Sequence, residues 1–421
     1  MRNPDFSGEL CKDLPSYMYR TALGPLFLSL VVGCGPEVAF APGAAVRDSA
    51  GVTIVENHGS EFPDGGGWSL AESPSLVIGS LGDPEGDGLY RVRGALRLPD
   101  GRIAVAVDGS RELRIYGVDG AHERSLGGEG EGPGEFTSLL LAGLLGDSLV
   151  VLDRRLRRVS LVHPDEGFAR SFTIAEPVAN FPIGGWFFET GSVLIEDFPL
   201  ADDAEIEDGF GRGPSLLKSC DLSGELLSDF GELPGEETFT TTTHQAQRGL
   251  TTELLSVPFG KSPQIAVKGD VLYFGSQDRY EVMTFGSDGS LRTIVRLVRP
   301  PVPVTAADLE SLIEEELDGL DGNDARFLRQ AFAKMPVMEF RPAHGAISAD
   351  REGFLFVEEF RAPGIESVPV NVFDPDGRLV GRFEIPADIE ILEIGPDYLL
   401  ALHEDAMDVE FVHLYELTRP G

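Results

Sequence analysis

Short runs of apolar residues, each opened by a turn signal, recur along most of the chain. They are Gly101–Asp108, Gly146–Asp153, Gly191–Asp197, Gly269–Gly275, Gly353–Glu358 and Pro396–His403. A second segment of alternating apolar and polar residues follows each, as at Leu113–Tyr116, Tyr280–Phe285 and Val368–Phe373. Alternation of period two predicts strands. Five of the six units then reach a hairpin signal, such as Asp119-Gly120, Asp288-Gly289 or Asp376-Gly377, and a third strand. The glycines at 101, 146 and 191 are 45 residues apart, and the last step, from 353 to 396, is 43. Two intervening steps, of 78 and 84 residues, each read as one unit plus an insertion. Self-similarity at this period is the signature of a repeat architecture.

The sixth unit runs out of chain before its last strand. Leu76–Leu81 supplies the missing one, because its continuation, Gly82–Tyr90, matches the Gly-rich segment Gly127–Phe136 that follows a last strand elsewhere. A first strand that completes a last unit closes a ring and leaves no loose edge. The expected fold is therefore all-β, a six-bladed β-propeller over residues 74–418 whose N-terminal strand closes the last blade. The segment Pro99–Asp108 followed by Arg114–Tyr116 resembles the repeat of six-bladed NHL-type propellers, and the run 130–136 is similar to bacterial propeller lipoproteins. That resemblance implies a structural motif with no single shared activity.

The insertions fall at 198–214, 232–262 and 298–343, all at connections that open on one face of such a ring. Extra sequence confined to one face of a repeat protein marks a binding surface. The third insertion carries a helical hairpin. Thr305–Asp308 has the form of a capping box, and Leu309, Leu312, Ile313, Leu317 and Leu320 share one face of the helix that follows. A second helix places Phe327, Leu328, Ala331, Phe332 and Met335 on one side and stops at Pro336. It is read as a brace on the rim or a lid.

The N-terminus carries an address. Residues 22–33 form a strongly apolar run that is too short to span a bilayer but suits a signal peptide. Its end, Leu30-Val31-Val32-Gly33-Cys34, resembles the lipobox of bacterial lipoproteins, which implies cleavage after residue 33 and a lipid on Cys34. Asp5, Glu9 and Asp13 are out of place in a leader, so Met18 is a candidate start. Gly35 after the cysteine is similar to lipoproteins sent to the outer membrane. Residues 34–73 read as tether and N-terminal extension, and membrane contact is expected through the lipid alone.

Composition narrows the partners. The chain has 421 residues, with 70 Asp+Glu against 34 Lys+Arg and a net charge of −36, which excludes nucleic acid. A monomer is expected. No nucleophile motif is present, and Cys220 lies in a predicted strand away from histidine. The glycines of 127–136 stand among Glu129, Glu131 and Glu135, which would repel phosphate, so the run reads as a turn. Asp83–Gly88 opens like a calcium loop, yet Gly94 stands where the bidentate Glu belongs. Acid-plus-Arg pairs after second strands (Asp108 with Arg111, Asp153 with Arg155, Asp278 with Arg279, Glu359 with Arg361) read as ties between blades.

Two site expectations remain. The starts of first strands should present Tyr90, Arg91, Arg93, Trp186, Lys261, Arg341 and His344 around the channel mouth. Cations concentrated in so acidic a protein suit a small anionic ligand, a peptide or an envelope protein, with no cofactor. Alternatively, His244, His344 and His403 converge as an open site for one zinc ion, or a calcium ion is held, and the resemblance to NHL-type lyases and lactonases then implies a metal-dependent hydrolase or lyase.

Overall fold

The computed structural model describes residues 43–59, 62–79, 88–198, 208–245, 249–320, 322–405 and 407–420. The leader, Cys34, the first residues of the tether and the calcium-like turn at 83–87 lie outside the described residues. The strands pair into six sheets that follow one another along the chain, with the in-sequence neighbours of each sheet antiparallel. The first runs from Val92–Arg97 through Ile103–Val107 and Glu112–Tyr116 to His122–Gly127. All five residues of Ile103–Val107 are buried, whereas the last strand is largely exposed. The second strands read as unbroken apolar runs because neighbouring sheets cover both their faces.

The first strands of successive sheets touch in turn. Val92–Arg97 meets Leu140–Leu145, which meets Pro182–Phe188, then Gln264–Lys268, Ile347–Ala349 and Ile389–Ile394, and this last strand returns to Val92–Arg97. A cycle of antiparallel sheets with first strands innermost is the architecture of a β-propeller. Apolar layers fill the gaps between sheets; one joins Val150, Leu152 and Val159 to Phe187, Val193 and Ile195. Leu76–Ile78 pairs antiparallel with the last strand, Glu410–Thr418, in the register Ile78 to Val412. Ile78 is buried among Val92, Val107 and Val412, so this strand seals the seam between the sixth sheet and the first.

Residues 44–58, within the segment read from sequence as tether and N-terminal extension, form two strands. Ala44–Ser49 pairs antiparallel with Val52–His58, which joins the fourth sheet parallel to Leu291–Val298. Ile54 and Val55 are buried there. Asn57 fastens the hairpin: its Nδ2 donates to the carbonyls of Gly377 (2.9 Å) and Arg296 (3.1 Å), and its Oδ1 accepts from Leu379 N–H (2.8 Å). Gly377, at φ 78°, brings its turn so close that a Cβ would lie 2.9 Å from Val295.

The first two insertions are strand extensions. Gly209–Cys220 and Leu226–Gln245 run out beyond the third sheet as one ribbon, to which Gly249–Ser256 adds a third strand. Residues 199–207 lie outside the described residues. The third insertion forms α1 (Ala306–Leu317) and α2 (Asp324–Phe332). Thr305 Oγ1 accepts from Asp308 N–H (3.2 Å) while Asp308 Oδ2 accepts from Thr305 N–H (2.9 Å), which closes the capping box. α2 packs Ala331, with Met335 beyond its end, against Phe239 of the ribbon and Val257 just past it.

Candidate functional site

At the elaborated ends of the second strands stand carboxylates and an amide, most of whose lone pairs go to backbone. Asp108 Oδ1 accepts from Leu139 N–H at 2.8 Å, which links the first sheet to the second. Asp153 accepts from Thr137, Arg155 and Leu156 N–H, and Asp197 from Asn180 and Phe181. Gln277 accepts from Ser262 N–H and donates to the His344 carbonyl (2.8 Å), linking the fourth sheet to the fifth. Glu358 holds Arg361 at 2.8 Å. These acceptors, all but Asp197 buried, fix the loops of this face, which is an architectural task.

Tyr90, Arg91 and Arg93 stand at the entry to the first sheet. Tyr90 is 64% exposed, Arg91 sits at φ 58° and Arg93 is exposed on the first strand. A non-glycine residue in the left-handed region stores strain, a state found where a side chain must be aimed. Arg91 reaches Asp108 at 3.1 Å, but Asp108 also pairs with Arg111 and accepts the Leu139 amide. One carboxylate is thus divided among several donors.

The structure adds a residue that sequence reasoning missed. Arg154 follows Asp153 on the next sheet, with Nε 3.3 Å from Ser138 Oγ and Nη1 3.4 Å from the Ile183 carbonyl. Burial lowers its pKa, and repulsion from Arg93, Arg91 and Arg155 lowers it further against the pull of Asp108. Among the described residues neither Arg93 nor Arg154 has an ion-pair partner. Phe181 (51% exposed) and Ile183 (44%) precede and open the first strand of the third sheet, where the Ile183 carbonyl receives Arg154. In a chain of net charge −36, this is a place where cations are brought together with few carboxylates, close to exposed apolar groups.

The other expected mouth residues go elsewhere. Lys261 lies between Glu237 (3.4 Å) and Asp278 (3.7 Å), and Arg341 is pinned to Asp308 at 2.8 Å. Both line a separate cleft of about 650 Å³ beside the fourth sheet, together with Tyr280, Arg299, Met338 and Phe340. Trp186 is half-buried in the middle of its strand, against a cluster that includes Phe188, Leu194 and Phe274. His344 is fully buried, not presented at the mouth. Its Nδ1 is 2.8 Å from the Gly345 carbonyl, its ring meets Tyr280 edge-on, and its Nε2 has no partner among the described residues. Gly275 packs against that ring: a Cβ there would lie 2.5 Å from it. Burial lowers the His344 pKa to about 4.

Of the three histidines named for a metal, His344 and His403 are not drawn together. His403 stacks on His413 (4.7 Å) in the sixth sheet, with Nδ1 3.3 Å from Asp388, while His344 lies between the fourth and fifth sheets. The His244 side chain lies outside the described residues. Among the described residues, no three His, Cys, Asp or Glu side chains are grouped to hold a metal. Cys220 is buried and its thiol is pushed up to about 12, so it is no nucleophile. Among the described residues, no helix is long and apolar enough to cross a membrane.

Further along the first strands, Glu393 gathers three sheets. Its Oε1 accepts from Lys268 Nζ (3.2 Å), and its Oε2 accepts from Arg97 N–H (2.8 Å) and Tyr398 Oη–H (3.0 Å). This buried junction ties the innermost strands to one another.

No protein-family model matches the chain, and no curated protein matches it. Solved structures similar to it include a putative exported protein from Bacteroides fragilis (11% identity, TM-score 0.47, 87% of this chain and 100% of that one). A member of the DUF4221 family from Bacteroides vulgatus has 10% identity and TM-score 0.48, over 84% and 99% of the two chains. A gluconolactonase from Xanthomonas campestris has 12% identity and TM-score 0.40, over 83% and 99%.

Proposed function

We propose that this chain is a lipoprotein of the bacterial cell envelope, anchored through Cys34 and probing its surroundings with a six-bladed propeller. Its elaborated face captures an anionic ligand, free or presented by a protein partner, and the recognised group is a carboxylate next to an apolar moiety. The arginine cluster of residues 91, 93 and 154 carries this reading. Each guanidinium can donate a fork of N–H groups to a carboxylate. Tyr90, Phe181 and Ile183 offer apolar contact beside them. Six sheets in a cycle and the closing strand Leu76–Ile78 support the blade count.

Titration of the full chain with an aromatic carboxylate and with its neutral amide tests the reading. The carboxylate binds and the amide does not, and Arg93→Gln weakens the carboxylate by about tenfold. Equal binding of the two ligands, or an unaffected variant, would refute it. In cells, Cys34→Ala moves the protein from the detergent phase to the aqueous phase; an unchanged partition would remove the anchor from the account.

A further inference from the structure

A twelve-residue helix alone in water is marginal, and helices of this length persist in proteins by burying an apolar stripe. α1 departs from that rule. Its capping box fixes the start, and Leu309, Ile313 and Leu317 recur at intervals of four along one face, yet the helix has no buried residue. α2, by contrast, buries Ala325 and Ala331. The stripe of α1 instead floors a groove of about 600 Å³, to which α2 contributes Arg329. Apart from Ala306, the rest of the lining is acidic: Glu310, Glu314 and Asp318 stand beside the three apolar residues. None of those three carboxylates has an ion-pair partner among the described residues, whereas Asp308, on the same helix, is taken by Arg341.

We infer that this groove is a docking site for a basic amphipathic helix of a partner protein. The shape of the stripe calls for apolar anchors at helical spacing in the occupant. The charge of the rim calls for lysine or arginine beside those anchors. A second copy of the chain would meet its own acidic rim with like charge, and an anionic bilayer would be repelled in the same way. The site is separate from the arginine cluster, which selects the opposite charge, so the two proposals stand or fall independently.

The test uses the full chain and a labelled synthetic peptide of about five helical turns, with Leu on one face and Lys on the other. Two controls accompany it: a peptide of the same composition in scrambled order, and one with Glu in place of Lys. The helical basic peptide binds, gains helical circular dichroism on binding and is released by salt. The scrambled and acidic peptides bind at least about tenfold more weakly. The double variant Ile313→Ser, Leu317→Ser loses about tenfold in affinity, and so does the set E310Q, E314Q and D318N. The charge variants leave the apolar stripe intact, so their loss of binding cannot come from a collapsed helix. Equal affinity for the scrambled peptide, or unchanged binding by both variant sets, overturns the proposal. So does self-association in sedimentation that Ile313→Ser, Leu317→Ser abolishes, since a second copy would then own the groove.

Discussion

Arg154 stands where its own charge is disfavoured. It is half-buried, repelled by Arg91, Arg93 and Arg155 and, among the described residues, without an ion-pair partner of its own. Arg154→Gln therefore changes stability by no more than about 0.5 kcal/mol, or raises it, while lowering affinity for a carboxylate. Urea denaturation and ligand titration on the same variant read both effects; a destabilisation of several kcal/mol would make Arg154 a structural residue instead. His344 gives a second test. Its pKa is about 4 in the folded protein against an ordinary 6.5, because burial disfavours the imidazolium. Below about pH 6.5 the unfolded chain binds a proton that the folded one refuses, so stability falls as pH drops from there towards 4. The loss reaches at most about 3 kcal/mol. H344Q, though less stable at pH 7 for want of the imidazole packing, loses less between pH 7 and 4.5. An identical slope in the two proteins would show that other groups carry the acid sensitivity.

Among the elements, the two N-terminal attachments differ in how plainly the sequence announces them. Leu76–Ile78 is legible because the repeat leaves a vacancy that only a strand before the first unit can fill. Ala44–Ser49 and Val52–His58 are not, because they add to a sheet outside the repeat, and their parallel partner Leu291–Val298 is distant in sequence. The second strands stand out because burial on both faces keeps their middles apolar, most completely in Ile103–Val107. α1 and α2 declare themselves by caps and periodicity. Of the candidate site, Tyr90, Arg91 and Arg93 are legible as residues at the start of a first strand, and Arg154 is not, since nothing in the linear order places it beside them. His344 was misread for a related reason: strand ends reach the surface on average, but this one lies under the Tyr280 ring. Both attachments bear load. Ile78→Ala costs about 2–4 kcal/mol by opening a cavity in the seam. Asn57→Leu costs about 2–3 kcal/mol by orphaning the Leu379 amide and the Gly377 carbonyl. Equilibrium denaturation checks both, and a loss below about 0.5 kcal/mol in Asn57→Leu would return residues 44–58 to the status of a tether.

At the scale of the whole molecule, charge separates stability from function. A net charge of −36 strains the compact state by self-repulsion, and salt screens that repulsion. The arginine cluster is an island of opposite sign, and salt screens its attraction for a carboxylate too. Raising sodium chloride through the physiological range should therefore raise the melting temperature while weakening ligand binding. Parallel changes of the two would argue against an electrostatic site. The most direct measurement is the melting temperature of the full chain with and without an aromatic carboxylate, compared with the triple variant R91Q, R93Q and R154Q. The account predicts that the carboxylate raises the melting temperature of the wild-type protein, that its neutral amide does not, and that the variant, folded and equally cooperative, responds to neither. A wild-type protein indifferent to the carboxylate, or a triple variant stabilised as much as wild type, would contradict it.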